Sequence, residues 1–306
     1  MLQLGLVSAI LADRTFEQVI DFVSEKNFKC VEIMCWPANN ADARRYAGVS
    51  HINVDALDDA QVAYIKKYTA DRYITISGLG YYPNPLDPNT EQAEIYIEHI
   101  KKIIKGAAKL EIPVVNTFVG RDPQKNIAYN LDKFKDVWTD IVKVAEEENI
   151  NIGIENCPML FTNDEWPGGK NLAITPAIWD KMFEIIPSKN FGLNYDPSHL
   201  VWQMMDYCRP IYDYRERLHH IHLKDAKVYP EKLNRVGIMA NPLEYHSPKL
   251  PGLGDINWGK FFAALTDVRY RGPVVIEVED KAYEGLPEDV ESAILTARNY
   301  LGQFLG

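Results

Sequence analysis

The sequence predicts an α/β protein built as one (β/α)8 barrel over residues 1–306. Three observations predict it. Eight short runs rich in β-branched residues recur along the chain, with segments of helical period after them. No G-x-G-x-x-G follows the first run, which weakens the alternative of a doubly wound dinucleotide-binding sheet. No linker or low-complexity stretch divides the chain, and α/β barrels reach this length as one unit.

The strand candidates are "QLGLVSA" from Gln3, "CVEIMCW" from Cys30, "ITISGLG" from Ile74 and "PVVNTFVG" from Pro113. They continue with "NIGIENC" from Asn151, "FGLNYDP" from Phe191, "LHHIHLKD" from Leu218 and "PVVIEVED" from Pro273. Helical patterns start at Thr15, Thr90, Asn130 and Pro287. Thr15 with Gln18 three residues on has the spacing of a capping box, and Pro287 suits a first helical turn. Strands alternating with helices require a parallel sheet, and eight such units close a barrel. The longest irregular stretch expected is the loop 228–255 after the seventh strand, a length that marks a functional or mobile loop.

Bulk composition narrows the function. The formal charge is −10, which disfavours a nucleic-acid partner and suits a small neutral substrate or a metal ion. No apolar run approaches the roughly 20 residues of a membrane span. The N-terminus has no basic region and reads as a first strand, not a signal peptide. Cys30, Cys35, Cys157 and Cys208 show no disulfide or C-x-x-C spacing. Reduced thiols in a cytoplasmic protein are the expectation.

Strand parity then selects a site. Alternate side chains face opposite sides of a strand, so one set fills the lumen and the other packs on helices. In "NIGIENC" the isoleucines oppose Asn151, Gly153 and Glu155. In "FGLNYDP" Phe191, Leu193 and Tyr195 oppose Asn194 and Asp196. In "LHHIHLKD" His219, Ile221 and Leu223 oppose His220, His222 and Lys224. In "PVVIEVED" Val274, Ile276 and Val278 oppose Glu277 and Glu279. The set with ionisable groups is the inward one. Glu155, Asp196, His222 and Glu277 therefore meet near the C-terminal strand ends, where barrels place their sites. Three carboxylates at one height repel strongly in a low dielectric, and a divalent cation removes the repulsion. Three oxygens and one imidazole suit Mn2+, Mg2+, Co2+ or Zn2+, with Mn2+ the first choice. Parity leaves Glu277 and Glu279 as alternative ligands.

At these residues the chain resembles the xylose-isomerase-like barrels, in particular their sugar isomerase and epimerase branch, which is related to ketose 3-epimerases, inosose dehydratases and endonuclease IV-type enzymes. The resemblance is carried by "IGIEN", "NYDPSHLVW", "HIHLKD" and "PVVIEVED", with further likeness in "VEIMCWP", "RRYAGVSHI" and "NTFVGRD". It implies one metal held by Glu155, Asp196, His222 and Glu277. It implies that Glu155 and Glu277 move a proton off and onto a carbon beside a carbonyl, through a metal-stabilised enediolate. It favours Glu277 over Glu279 and adds His199 as a substrate-contacting residue.

Other candidates follow from position. Asn156, Trp36, His51, Tyr82, Arg121, Lys224 and Arg235 lie at or near the active-site end and are candidate substrate contacts. His220 is expected deep in the lumen, bonded to a neighbour such as Asn194, and His219 against the helices. Gly252 and Gly254 in "PGLGD" have the composition of an anion-binding turn. The reading is a metal-dependent sugar isomerase or epimerase of carbohydrate metabolism, acting on a sugar or keto sugar. The alternative is a lyase on keto sugars, either an inosose-type dehydratase or a 3-oxo-glycoside-cleaving enzyme. An endonuclease IV-like nuclease and a non-catalytic barrel rank lower. A homo-oligomer is compatible with the sequence.

Overall fold

The computed structural model describes residues 2–37, 48–160 and 166–305. Eight parallel strands close into a barrel. They are β1 (Gln3–Val7), β2 (Cys30–Met34), β3 (Thr75–Gly80), β4 (Val114–Thr117), β5 (Asn151–Glu155), β6 (Phe191–Tyr195), β7 (Leu218–Leu223) and, after two strands outside the barrel, β10 (Pro273–Ile276). Around the ring the order is β1, β10, β7, β6, β5, β4, β3, β2. The eight expected strands are the eight barrel strands.

Helices α1 (Phe16–Glu25), α2 (Asp59–Ala70), α3 (Thr90–Leu110), α4 (Ile127–Glu147), α5 (Pro176–Ile185), α9 (Trp258–Asp267) and α10 (Pro287–Gly302) intervene between strands or follow the last one. Short α6 (Ser198–Val201) and α7 (Arg209–Asp213) follow β6. The capping box of α1 forms in both directions: Gln18 N–H donates to Thr15 Oγ1 at 3.3 Å, and Thr15 N–H donates to Gln18 Oε1 at 2.9 Å. The fourth helix starts earlier than expected. Asn126, not Asn130, caps it by accepting from Tyr129 N–H at 2.9 Å. Asn130 is instead buried inside α4 and its amide holds the loop before the helix, donating to Asp122 O at 3.1 Å.

The stretch 228–255 is more ordered than its composition suggests. β8 (Asp225–Val228) pairs antiparallel with β9 (His246–Lys249), and α8 (Pro230–Val236) lies between them. Asp225 organises this excursion. Its carboxylate accepts from Ala226 N–H (2.9 Å), Gly252 N–H (3.0 Å), Ile256 N–H (3.1 Å) and the Trp258 indole N–H (2.9 Å). The glycine-rich turn therefore does bind an anion, and the anion is the chain's own Asp225. A Cβ at Gly254 would collide with that carboxylate, which is why the position is glycine.

The apolar core lies between strands and helices, where Ile152, Ile154, Leu193, Ile221, Val274 and Ile276 are buried. The lumen is polar. No helix among the described residues is long and apolar enough to cross a membrane. All four cysteines are free.

Candidate metal centre

The side chains that parity turns inward meet at the upper end of the lumen. Glu155 ends β5, Asp196 follows β6, His222 lies on β7 and Glu277 follows β10. In ring order these strands are neighbours, β5 to β6 to β7 to β10, so the four groups form one arc. One ligand atom each from Glu155, His222 and Glu277 lies within 4.8 Å of the others. Glu277 Oε2 is 3.5 Å from His222 Nδ1, and Glu155 Oε1 is 3.9 Å from it.

Lys224 stands in the middle of the carboxylates. Its buried ammonium is 2.6 Å from Glu277 Oε2, 3.0 Å from Glu279 Oε2, 3.1 Å from Asp196 Oδ2 and 3.9 Å from Glu155 Oε1. Burial alone would favour the neutral amine, but these carboxylates hold the lysine charged, well above its ordinary range. His199, on α6, is 3.2 Å from Asp196 Oδ2 and 3.5 Å from Glu155 Oε1. For Asp196, burial works toward protonation, but Lys224 and His199 prevail and keep it ionised. For Glu155, burial likewise opposes ionisation, and His199, His222 and Lys224 overcome it.

Sequence reasoning missed one member. Glu32 on β2 is fully buried and reaches across the lumen. Its Oε2 lies 2.7 Å from His222 Nε2, and its Oε1 accepts from the Tyr82 hydroxyl at 2.5 Å. A carboxylate only accepts, so the proton between Glu32 and His222 sits on Nε2. That turns Nδ1 toward Glu155 and Glu277. Burial would raise the Glu32 carboxyl, but His222, His220 and Tyr82 bring it down to about 2. A single Glu inside the apolar run "CVEIMCW" was the available signal.

The residues fit a cation. Asp196 Oδ2, His199 Nε2 and His222 Nδ1 are buried without a hydrogen-bond partner, and all three point into the same cluster. Buried polar atoms are almost always paired. These three atoms, with the carboxylates of Glu155 and Glu277 beside them, form a donor set for a divalent ion.

Above the cluster opens a cavity of about 570 Å3. Trp36, Tyr82, His199, Lys224 and Glu277 line it, as do Glu279 and His246. Four expected substrate contacts lie elsewhere. Asn156 spends its amide on the backbone of Asp196, donating to its O and accepting from its N–H at 2.8 Å each. His51 is held by Ser8 Oγ and Leu11 O, both at 3.1 Å. Arg121 donates to Gly168 O at 2.7 Å. Arg235 is exposed on α8. None of the four lines the cavity. For Asn156, His51 and Arg121 the backbone took the polar group that position alone had offered to a ligand. His220 is where parity put it, with Asn194 Oδ1 and Ser77 Oγ each 3.0 Å from a ring nitrogen. Within "RRYAGVSHI", residues 44–47 lie outside the described residues.

This arrangement defines a barrel with a buried cluster of acids and histidines at its C-terminal strand ends. Residues 20–300 match the xylose isomerase-like TIM barrel family, and the chain belongs to that family. Among curated relatives, an uncharacterised protein of Methanocaldococcus jannaschii, MJ1311, is 24% identical over 92% of this chain and 84% of its own. Inosose dehydratase of Clostridium tetani is 30% identical over 63% of this chain and 59% of its own. Among solved structures, D-psicose 3-epimerase with D-tagatose from Clostridium cellulolyticum H10 is 15% identical, with a TM-score of 0.69 over 99% of both chains. The IolI protein with a bound zinc atom is 14% identical, with a TM-score of 0.71 over 99% of both chains. These likenesses in structure extend to the fold.

Proposed function

We propose that this protein is a divalent-metal-dependent sugar isomerase or epimerase. The observation that carries the reading is the gathering of ligand atoms from Glu155, His222 and Glu277 within 4.8 Å of one another, with Asp196 Oδ2 and His222 Nδ1 buried and making no hydrogen bond. Glu155, Asp196, His222 and Glu277 would hold the ion, with Mn2+ the expected metal. Bound there, it would stabilise the negative charge that forms when a carbon beside a carbonyl loses a proton.

The chain's own groups do the rest. Glu155 is kept ionised, so it takes the proton at its carboxylate. Glu277 stands at the far end of the arc, three strands round the ring, and returns a proton from the other side. Lys224 and His199 orient the sugar oxygens and balance the carboxylates. Tyr82 and Trp36 cover the floor from the β2 and β3 side and exclude water. The relatives support a sugar as the substrate class, since those named are ketose epimerases and inosose dehydratases.

A dehydratase is the second reading, favoured by the inosose dehydratase relatives and by Lys224. A buried ammonium beside the base can hand a proton to a departing hydroxyl, which then leaves as water.

The test is solvent exchange. Mn2+-loaded protein in D2O is expected to exchange the α-proton of a ketose or inosose substrate, followed by NMR. Glu155→Gln should lower the rate by roughly 10²–10⁴-fold with an unchanged circular dichroism spectrum. Absence of exchange across a panel of keto sugars would remove both readings. Product lighter by one water would select the dehydratase.

A further inference from the structure

The cavity above the carboxylates has two unlike parts. Its floor is charged, with Glu155, His199, Lys224 and Glu277. Its walls are apolar, formed by Met34, Trp36, Phe118, Trp202, Leu243 and Pro248. Pro158, Leu160 and Trp202 also line a second cavity of about 310 Å3. The two chambers therefore share a wall. The second one continues over Trp166, Ile174, Met204, Ile238 and Tyr245, and no charged side chain lines it among the described residues. Met204 and Ile238 leave 55% and 64% of their surface exposed at its edge. Chambers of these sizes belong with ligands larger than a bare monosaccharide, since drug-sized ligands occupy roughly 300–1,000 Å3.

Charge narrows the ligand further. The first cavity is lined by four carboxylates, Glu155, Glu277, Glu279 and Asp280, against three lysines. Lys224 is enclosed by carboxylates, and Lys249 pairs with Asp280 at 3.0 Å. A phosphate dianion would have to compete with carboxylates that already engage two of the three lysines.

We propose that the site takes an unphosphorylated keto sugar bearing a flat apolar substituent, such as an aryl glycoside with a ketone on its ring, for which simple aryl glycosides serve as binding probes. The sugar lies on the carboxylate floor and the substituent enters the apolar side chamber past Trp202. The inference rests on reading the floor as a sugar site, and it adds what that reading leaves open.

Isothermal titration tests it, on protein with and without Mn2+. The probes are matched 4-nitrophenyl and methyl β-glycosides of glucose, galactose and xylose, with glucose 6-phosphate and free 4-nitrophenol. For at least one sugar the aryl glycoside is expected to bind roughly ten- to a hundredfold tighter than the methyl glycoside, the increment for burying one aromatic ring. It should also bind tighter than 4-nitrophenol, and glucose 6-phosphate should bind more weakly than methyl glucoside. Met204→Asn, whose side chain tolerates the left-handed backbone of that position (φ 59°), should remove most of the aryl advantage and leave the methyl glycoside unchanged. Ile238→Asp should do the same from the chamber's other side.

Equal affinity for aryl and methyl partners overturns the inference. So does tighter binding of the phosphate, an aryl advantage that survives both variants, or no binding of any glycoside in the millimolar range. The outcome is separable from the proton-transfer reading. Exchange on small ketoses without aryl preference sinks only this inference, whereas aryl preference without exchange sinks only that reading.

Discussion

Asp196 and Asp225 are both fully buried aspartates at the upper ends of neighbouring strands, and the chain treats them in opposite ways. Asp225 receives four donors, two per oxygen. Asp196 accepts one backbone N–H, from Ser198 at 2.8 Å, and its Oδ2 has only the ion-pair contacts of Lys224 at 3.1 Å and His199 at 3.2 Å. His220 and His222 repeat the contrast two residues apart on β7. Both rings of the pair are buried, but His220 has partners for both nitrogens whereas His222 Nδ1 has none. Burial pushes the His220 imidazole down to about 3, with Glu32 opposing it only in part. Burial acts on His222 too, yet Glu32 and Glu277 raise it well above the ordinary range. The comparison separates the two pairs: Asp225 and His220 are satisfied by the chain and brace the fold, whereas Asp196 and His222 keep atoms open at the acidic centre.

Breaking each aspartate should give opposite signatures. With Mn2+ at about 100-fold over its dissociation constant, the wild-type protein should gain about 2.7 kcal/mol of stability in denaturant titrations. Asp196→Asn should lose that gain. Asp225→Asn should keep the gain but start from a protein about 1–3 kcal/mol less stable, because an amide nitrogen then faces donors. If Asp225→Asn abolished the metal effect and Asp196→Asn did not, the assignment of the two carboxylates would be reversed.

Glu32 sharpens the comparison, because it touches His222 and Tyr82 but does not itself line the cavity. Glu32→Gln should weaken Mn2+ binding about 10- to 100-fold by calorimetry. In the metal-free protein the ¹⁵N shifts of His222 should show the proton moving off Nε2. Unchanged shifts with unchanged affinity would make Glu32 a packing residue.

The smallest effect concerns histidines outside the centre. Burial lowers His219 and His246 to about 4 each, and the backbone hydrogen bonds they make do not offset it. Their folded values lie below the unfolded value of about 6.5. Between those limits the unfolded chain binds protons that the native chain refuses, so stability falls as pH drops from 6.5 toward 4. The slope should be up to about 1.4 kcal/mol per pH unit for each. His219→Gln should flatten the urea midpoint against pH over that range; an unaltered profile would place the titrating groups elsewhere.

Much of this was legible before folding. Glu155, Asp196, His222 and Glu277 were readable because each belongs to a strand of period two whose other face is aliphatic. The same rule separated His219 from His220. Glu32 escaped because Cys30 and Met34, which share its face in "CVEIM", are as apolar as the opposite face, so the strand offers no polar side to read. Asn156, His51 and Arg121 misled for the converse reason. Their positions near the strand ends were right, but nothing local tells whether a polar side chain will face a ligand or a stray backbone carbonyl.

The sequence by itself determined the barrel, the inward set of acids and the strand ends at which they gather, because hydrophobic periodicity is a local property. Only the tertiary structure decided that Glu32 reaches His222 across the lumen, that Lys224 sits among four carboxylates, and that Asp225 fills its own anion turn. Those contacts join residues tens to hundreds of positions apart, and the closure of the ring, not the order of the chain, sets their distances.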